Sequence, residues 1–381
     1  MEILFVIDYL VLKTGGPRFL ISVFDILSKN GYRIHIITGY VEDDIYKYYK
    51  NFDIHDLGVY NYECAPLLST QPVNVIKFLL NAQRAVNRLS KILNIDLIHL
   101  NSHIPVLLSY SCAFTMSTPI VCSIHHLENI NQFTTLVGRM GKVMFQDMFE
   151  INAPCAAIHV PSEYVKEEIK KHRISRQPPI VVIPPGIEVE NYFRLSRKIE
   201  EGLFVMIGRL EKRKHYEHAI TAFRTVVKYK PNYKLIIIGE GPLRHELIRL
   251  IKRYNLETNV FLLGSVDEKT KLDLLSKAEA LIHLGYPEGL GISVLEALAA
   301  GVPIIAYDVL PLNELVKHGI TGVLVRKDDI MRLAKEIARF DRHFFNQEIL
   351  RAAVKNYDIN IIAKKFVMLY DMLACYRKIG R

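Results

Sequence analysis

The chain has 381 residues, 50% hydrophobic and 23% charged, which excludes a disordered or fibrous polypeptide and suffices for two domains with cores of their own. With 49 Lys and Arg against 40 Asp and Glu, its formal charge is +9, spread without a long basic run. That pattern excludes a nucleic-acid-binding tail and favours phosphate-bearing small partners or an anionic surface.

The first residues, 1–8, are apolar, with no basic leader and no small-residue cleavage site, and read as a strand rather than a signal peptide. Gly15, Gly16 and Pro17 then form a glycine turn before a helix carrying Phe19, Val23, Ile26 and Leu27 on one face. The next strand is 34–38, completing a βαβ unit. Glycines at the carboxyl end of a first strand let a ligand approach the backbone, where open α/β sheets bind their ligands.

Residues 41–72 are polar and Tyr-rich and read as an irregular surface excursion, with Glu42, Asp43 and Asp44 as a solvated loop. A helix over 73–93 buries Val75, Phe78, Leu79, Ala82 and Val86. The uncharged run 97–124 is cut by Pro105 and Pro119 into pieces too short to span a membrane. One strand of that run leads into His125, at a carboxyl end suited to binding or proton work.

Phe133, Leu136, Val137, Met140, Met144 and Met148 recur at helical spacing with Arg139 and Lys142 between them. Such a stripe packs in a core or meets lipid. Cys64, Cys112, Cys122, Cys155 and Cys375 are scattered without a C-x-x-C pair, so neither zinc nor a disulfide framework is expected.

Pro184, Pro185 and Gly186 make a stiff linker, and beyond it strand and helix alternate again, with strands near 203–207, 234–238, 259–262, 279–283, 302–306 and 322–325. The predicted fold class is α/β: two Rossmann-like, doubly wound parallel-sheet domains facing across a cleft. The predicted boundaries are 1–186, 187–357 and a terminal helix, 358–381, returning to the first domain.

Candidate ligand residues of the second half all fall at strand ends. Arg209 and Lys214 lie in a basic loop after its first strand, where a guanidinium fork and an ammonium suit a diphosphate. Val266 follows another strand. Glu288, Gly289, Leu290 and Gly291 form a turn feeding a helix that carries Glu296, and such a helix start suits a phosphate while the two acids suit hydroxyls.

These motifs resemble a GT-B glycosyltransferase of family 4 (glycosyl transferases group 1). The match rests on Gly208-Arg209-Leu210 with Lys214, Gly239 and Gly241-Pro242, Pro287-Glu288-Gly289 with Glu296, the run to Pro303, Glu314, and Gly319 with Gly322. Gly15, Gly16, His99, His125 and Ser162 carry a weaker likeness in the first half. His126, His215 and Asp308-Val309-Leu310 depart from the family pattern, which has an Asp, a Gly and small glycines there.

The resemblance implies a retaining enzyme moving a sugar from a UDP-, GDP- or ADP-sugar to a hydroxyl acceptor, lipid-linked in one reading, in glycan or glycolipid assembly. It implies that Arg209 and Lys214 hold the diphosphate and Glu296 the ribose. Glu288 with Gly289 to Gly291 would hold the sugar, His125 would sit beside it, and Gly15 and Gly16 would close over the phosphate. No D-x-D or H-E-x-x-H cluster occurs, so no metal and no resident cofactor are expected. A cytoplasmic protein touching the inner membrane face, with no nucleic-acid partner, is the expected setting. An epimerase of the same fold and a non-catalytic sugar-nucleotide binder are the other readings.

Overall fold

The computed structural model describes residues 1–12, 15–60, 72–127, 140, 148–172 and 178–379. The chain divides into unit 1, Met1–Pro185 with Ile359–Arg381, and unit 2, Gly186–Asp358. Each is a parallel sheet, and each strand is a short apolar run because helices cover both faces of such a sheet.

Unit 1 has seven strands: β1 (Glu2–Ile7), β2 (Arg33–Thr38), β3 (Asp53–Asp56), β4 (Leu97–Asn101), β5 (Ile120–Ser123), β6 (Ala157–Val160) and β7 (Ile180–Val182). Their order is β3-β2-β1-β4-β5-β6-β7. Helix α1 (Gly15–Lys29) follows β1, so Gly15 and Gly16 belong to its first turn rather than to a separate loop. The 41–72 excursion is in part regular, a correction to the irregular segment expected there: α2 (Asp43–Tyr48) and β3 occupy it. Buried Ile45 and Phe52 anchor both, two contacts too few to leave a period in the sequence.

Helix α3 (Pro72–Ile92) buries Val75, Phe78, Ala82 and Val86 at helical spacing. Full burial of each large side chain contributes about 1.5–3 kcal/mol. Two short helices, α4 (His103–Val106) and α5 (Ser109–Thr115), follow β4 in the run cut by Pro105 and Pro119. After β6, α6 (Glu163–His172) starts with Ser162 Oγ accepting from Val165 N at 3.3 Å.

The last helix, Ile359–Ile379, packs on α1 and β4. Its Phe366 ring lies 4.9 Å from that of His159, and Tyr32 Oη donates to Asp371 Oδ1 at 2.8 Å. Of the Met-rich stripe, Met140 and Met148 are exposed, and Phe133, Leu136, Val137 and Met144 lie outside the described residues, as does Cys64. The described cysteines are unbridged.

Unit 2 has β8 (Leu203–Ile207), β9 (Lys234–Ile238), β10 (Val260–Gly264), β11 (Ala280–His283), β12 (Ile304–Tyr307) and β13 (Gly322–Val325), in the order β10-β9-β8-β11-β12-β13. After α7 (Val189–Phe193), α8 (Tyr216–Val226) and α9 (Arg244–Arg253) follow β8 and β9. Next come α10 (Glu268–Lys277), α11 (Ile292–Ala299) and α12 (Leu312–Leu315), after β10, β11 and β12. Two more, α13 (Ile330–Ala338) and α14 (Gln347–Ala352), complete the unit. Asp267 and Asp329 cap α10 and α13 by accepting from Thr270 N and Arg332 N. Entry and exit of unit 2 are neighbours: Ile187 forms a bridge with Asp358.

Candidate active site

In unit 2 the strand order reverses between β8 and β11, and open parallel sheets bind ligands at the carboxyl end of such a switch point. The loop after β8 and the loop after β11 meet there. Tyr216 Oη donates to Gly208 O at 2.8 Å, and Tyr286 N donates to Arg213 O at 2.7 Å, which joins the two loops through backbone. Gly239 has φ +140°, and a Cβ there would overlap the Gly208 carbonyl oxygen. That glycine therefore serves the close stacking of the β8 and β9 loops.

Glu288 is the centre of a half-buried charge network. Its Oε2 accepts from Lys214 Nζ, lies 3.3 Å from Arg213 Nη1 and 3.6 Å from His283 Nε2. Burial alone would raise the Glu288 carboxyl, but Lys214 and Arg213 outweigh it and hold the group well below the carboxylate range. Burial lowers the Lys214 ammonium, with Arg213 adding to the effect and Glu288 opposing it. A Cβ on Gly285 would come within 2.9 Å of Glu288 Oε2 and 3.0 Å of His283 Nε2, so that position leaves room for the network. Arg209 stands beside it, Nε 2.6 Å from Glu211 Oε1, and Glu211 Oε2 also accepts from Arg213 Nε at 3.0 Å.

Gly291 caps α11 at φ +100°, placing the helix start, with its backbone N–H groups and positive end, directly after the Glu288 turn. Leu290 is buried in the apolar core, which leaves its backbone to a ligand, whereas Val266 packs against that core half-buried. Glu296 is buried on α11, where Oε1 accepts from Lys271 Nζ at 2.8 Å and Tyr192 Oη at 2.9 Å. Lys271 and Tyr192 are residues that the sequence pattern did not single out. At the departure from glycines, Asp308 Oδ1 accepts from Asn313 Nδ2 at 3.1 Å, and Leu310 is exposed.

Unit 1 gathers its polar residues at the same kind of switch point, where β1 pairs with β4. Asp8 follows β1, and burial raises its carboxyl to about 7, with Ser102 and His103 opposing. Ser102 has φ +90°, and His103 Nδ1 lies 2.6 Å from Glu150 Oε1. His125 Nε2 donates to Asn101 Oδ1 at 3.1 Å, and burial with the neighbouring His159, His103 and His126 holds its imidazole far below its usual range. A Cβ on Gly16 would meet nothing within 4 Å, so packing inside unit 1 does not demand a glycine there.

Beneath these groups runs an ordered chain of hydrogen bonds. His159 Nε2 lies 2.8 Å from Ile183 O, which only accepts, so Nε2 carries the proton and Nδ1 accepts from Ser123 Oγ at 2.6 Å. Ser123 Oγ then accepts from His99 Nε2 at 2.6 Å, and His99 Nδ1 accepts from Tyr370 Oη at 2.7 Å. Both imidazoles are thereby neutral, and burial pushes His99 well down and His159 down to about 4.

The family description "Glycosyltransferase Family 4" matches residues 14–191 and "Glycosyl transferases group 1" matches 190–357, so the two together run through both units. The chain is a family 4 glycosyltransferase. An uncharacterized glycosyltransferase of Methanocaldococcus jannaschii is 27% identical over 379 residues, covering 91% of each chain. In fold, this glycosyltransferase is similar to sucrose-phosphate synthase from Thermosynechococcus elongatus, with a TM-score of 0.82, 18% identity, and coverage of 99% of this chain and 100% of that one. It is also similar to Anabaena HepE in complex with UDP-glucose, with a TM-score of 0.73, 19% identity, and coverage of 98% and 100%. The fold is GT-B.

Geometry adds residues that sequence reading of the glycosyltransferase missed. Arg213 and His283 complete the Glu288 network; Arg213 was visible only as one cation in a run, and His283 only as the last residue of a strand. Asp8 had a positional signal, an acid at the carboxyl end of the first strand. A cavity of about 560 Å³ at the amino edge of unit 1, lined by Lys29, Tyr32, Arg33, Lys50 and Phe52, contains none of these groups.

Proposed function

We propose that this glycosyltransferase is a retaining enzyme that moves a sugar from a UDP-, GDP- or ADP-sugar to a hydroxyl acceptor without a metal ion in the reaction. The carrying observation is the half-buried Lys214–Glu288–Arg213 network beside the start of α11. As the bond between the sugar C1 and the phosphate oxygen breaks, negative charge grows on the leaving diphosphate. Lys214, Arg209 and the N–H groups of α11 stabilise that charge, and do so more in the transition state than in the ground state. The acceptor oxygen bonds to C1 on the same face, and its proton goes to the leaving phosphate oxygen.

In this reading Glu288 and the backbone of Gly289 to Gly291 orient the sugar hydroxyls. Glu296, held by Lys271 and Tyr192, accepts from the ribose. His125 is too weakly basic to take a proton near neutral pH, so its role is to hydrogen-bond the sugar or acceptor. Gly15 and Gly16 admit the phosphate to the start of α1. A glycolipid acceptor at an anionic cytoplasmic membrane face fits the +9 charge and the exposed Val73, Ile76 and Leu80 along α3. No described helix is long and apolar enough to cross a membrane.

Calorimetric titration with UDP, GDP and ADP, with and without magnesium, names the donor class, and one nucleotide binding equally in both conditions is expected. Arg209→Ala and Lys214→Ala should each lower kcat/KM about a hundredfold with the fold intact. Unchanged kinetics in both variants would remove the diphosphate role. Proton NMR of the product should report the donor's own anomeric configuration, and inversion would contradict the reading.

A further inference from the structure

At the start of α8, on the far side of Lys214 in sequence, lies a second group of ligand-type side chains that the transfer reaction does not use. His215, His218 and Asp328 each offer one ligand atom, and these atoms all lie within 4.8 Å of one another. His218 Nδ1 is 3.8 Å from Asp328 Oδ1. Glu217 adds a second carboxylate, its Oε1 3.6 Å from His215 Nδ1 and 3.9 Å from His218 Nε2. The two imidazoles stack at 4.8 Å with their planes 18° apart.

Two features distinguish this cluster from an ordinary polar surface. First, His215 Nε2 and Glu217 Oε2 are buried atoms without a hydrogen-bond partner, and a buried polar atom left so calls for a ligand. Second, both His215 and Asp328 hold left-handed backbones, at φ +50° and +66°, and turn their side chains toward His218 from two different loops. Tyr307 Oη lies 2.7 Å from His218 Nδ1 and so orients the ring through that nitrogen, which leaves Nε2, 3.9 Å from Glu217 Oε1, as the ligating atom of His218. Lys327 lies 3.7 Å from the other Asp328 oxygen, Oδ2, so that Oδ1 is the atom turned to the histidine.

We propose that His215, His218 and Asp328 bind one divalent transition-metal ion of the zinc or cobalt class, with Glu217 the adjacent carboxylate for a fourth position. Tetrahedral bonds of about 2.0–2.1 Å set ligand atoms about 3.3 Å apart, so the side chains need to close by up to about 1.5 Å. Two neutral imidazoles and two carboxylates neutralise the ion, and nitrogen donors select zinc or cobalt over magnesium. The ion bridges the β8–α8 loop to the turn between β13 and α13, whose helix packs beside α8. It takes no part in the proposed transfer step.

The test is a titration of the chelator-treated chain with Co²⁺, read by visible absorption, and with Zn²⁺, read by calorimetry. One ion per chain is expected, with tetrahedral cobalt bands and no competition from equimolar Mg²⁺. His215→Gly and Asp328→Asn suit left-handed backbones and should fold, as circular dichroism will report, yet bind at least tenfold more weakly. His218→Gln removes the third ligand. Saturation absent in the unaltered chain, affinity unchanged in both left-handed variants, or equal competition by Mg²⁺ would each overturn the site. Donor binding measured alongside separates failure here from failure of the transfer reading.

Discussion

At the scale of single residues, Glu288 and Glu296 look alike in sequence, two acids on one turn and helix, and the structure gives them different surroundings. Glu288 faces two cations in a network among loops, whereas Glu296 is locked to Lys271 inside the core. Removing one partner of a buried pair leaves the other charge uncompensated, at a cost of about 3–5 kcal/mol. Lys271 keeps a second, exposed partner in Glu268, whose Oε1 lies 2.9 Å away, so Glu296→Ala should lower unfolding stability by less than that, about 2 kcal/mol in urea titrations, and Glu296→Gln by less again, because the amide oxygen still accepts from Lys271 and Tyr192. Equal stability of Glu296→Ala and the parent would mean that the pair contributes nothing. Lys214 and Glu288 were legible because each sits in a strand-end loop with a chemical signature. Lys271 and Tyr192 were not, since they reach Glu296 from 25 and 104 residues away and carry no local pattern.

At the scale of elements, the glycines divide by what surrounds them. Gly239 combines φ +140° with a Cβ position on top of a backbone oxygen, so Gly239→Ala carries both strain and overlap and should destabilise the fold by about 3 kcal/mol. Gly16 has neither constraint and lies in the first turn of α1, so Gly16→Ala should leave the denaturation midpoint unchanged or slightly raised. If Gly16 admits a phosphate, the same variant loses turnover while keeping stability; intact turnover would assign the glycine to local helix geometry alone. The alternation of strands and helices was readable because buried parallel strands are continuous apolar runs bounded by glycines. Helix α2 and β3 were not, because each is held by one or two side chains, Ile45 and Phe52, within a polar segment.

For the whole molecule, acid should be destabilising, and the sign follows from the buried groups of unit 1. His159 titrates near 4 in the fold against a reference of 6.5, so its contribution is complete above pH 6.5 and is lost as pH falls toward 4. The full shift corresponds to about 3 kcal/mol. His99 acts in the same direction. Asp8, raised to about 7, opposes them, since its neutral form favours the fold as pH falls from 7 toward 3.8. Two buried imidazoles outweigh one carboxyl, so the calorimetric melting temperature should drop between pH 7.5 and pH 5, and an unchanged or higher value at pH 5 would refute the balance.

The last helix gives unit 1 a dependence on the order of synthesis. Unit 2 is one uninterrupted stretch whose entry and exit are bridged by Ile187 and Asp358, so it has all its residues as soon as that stretch leaves the ribosome. Unit 1 does not: Tyr370 closes the proton-ordered chain through His99, and Phe366 covers the His159 ring, yet both are translated after unit 2. Throughout that interval the nascent first sheet lacks the cover that Phe366 and Tyr370 give to His99 and His159, and there holding chaperones have most to protect.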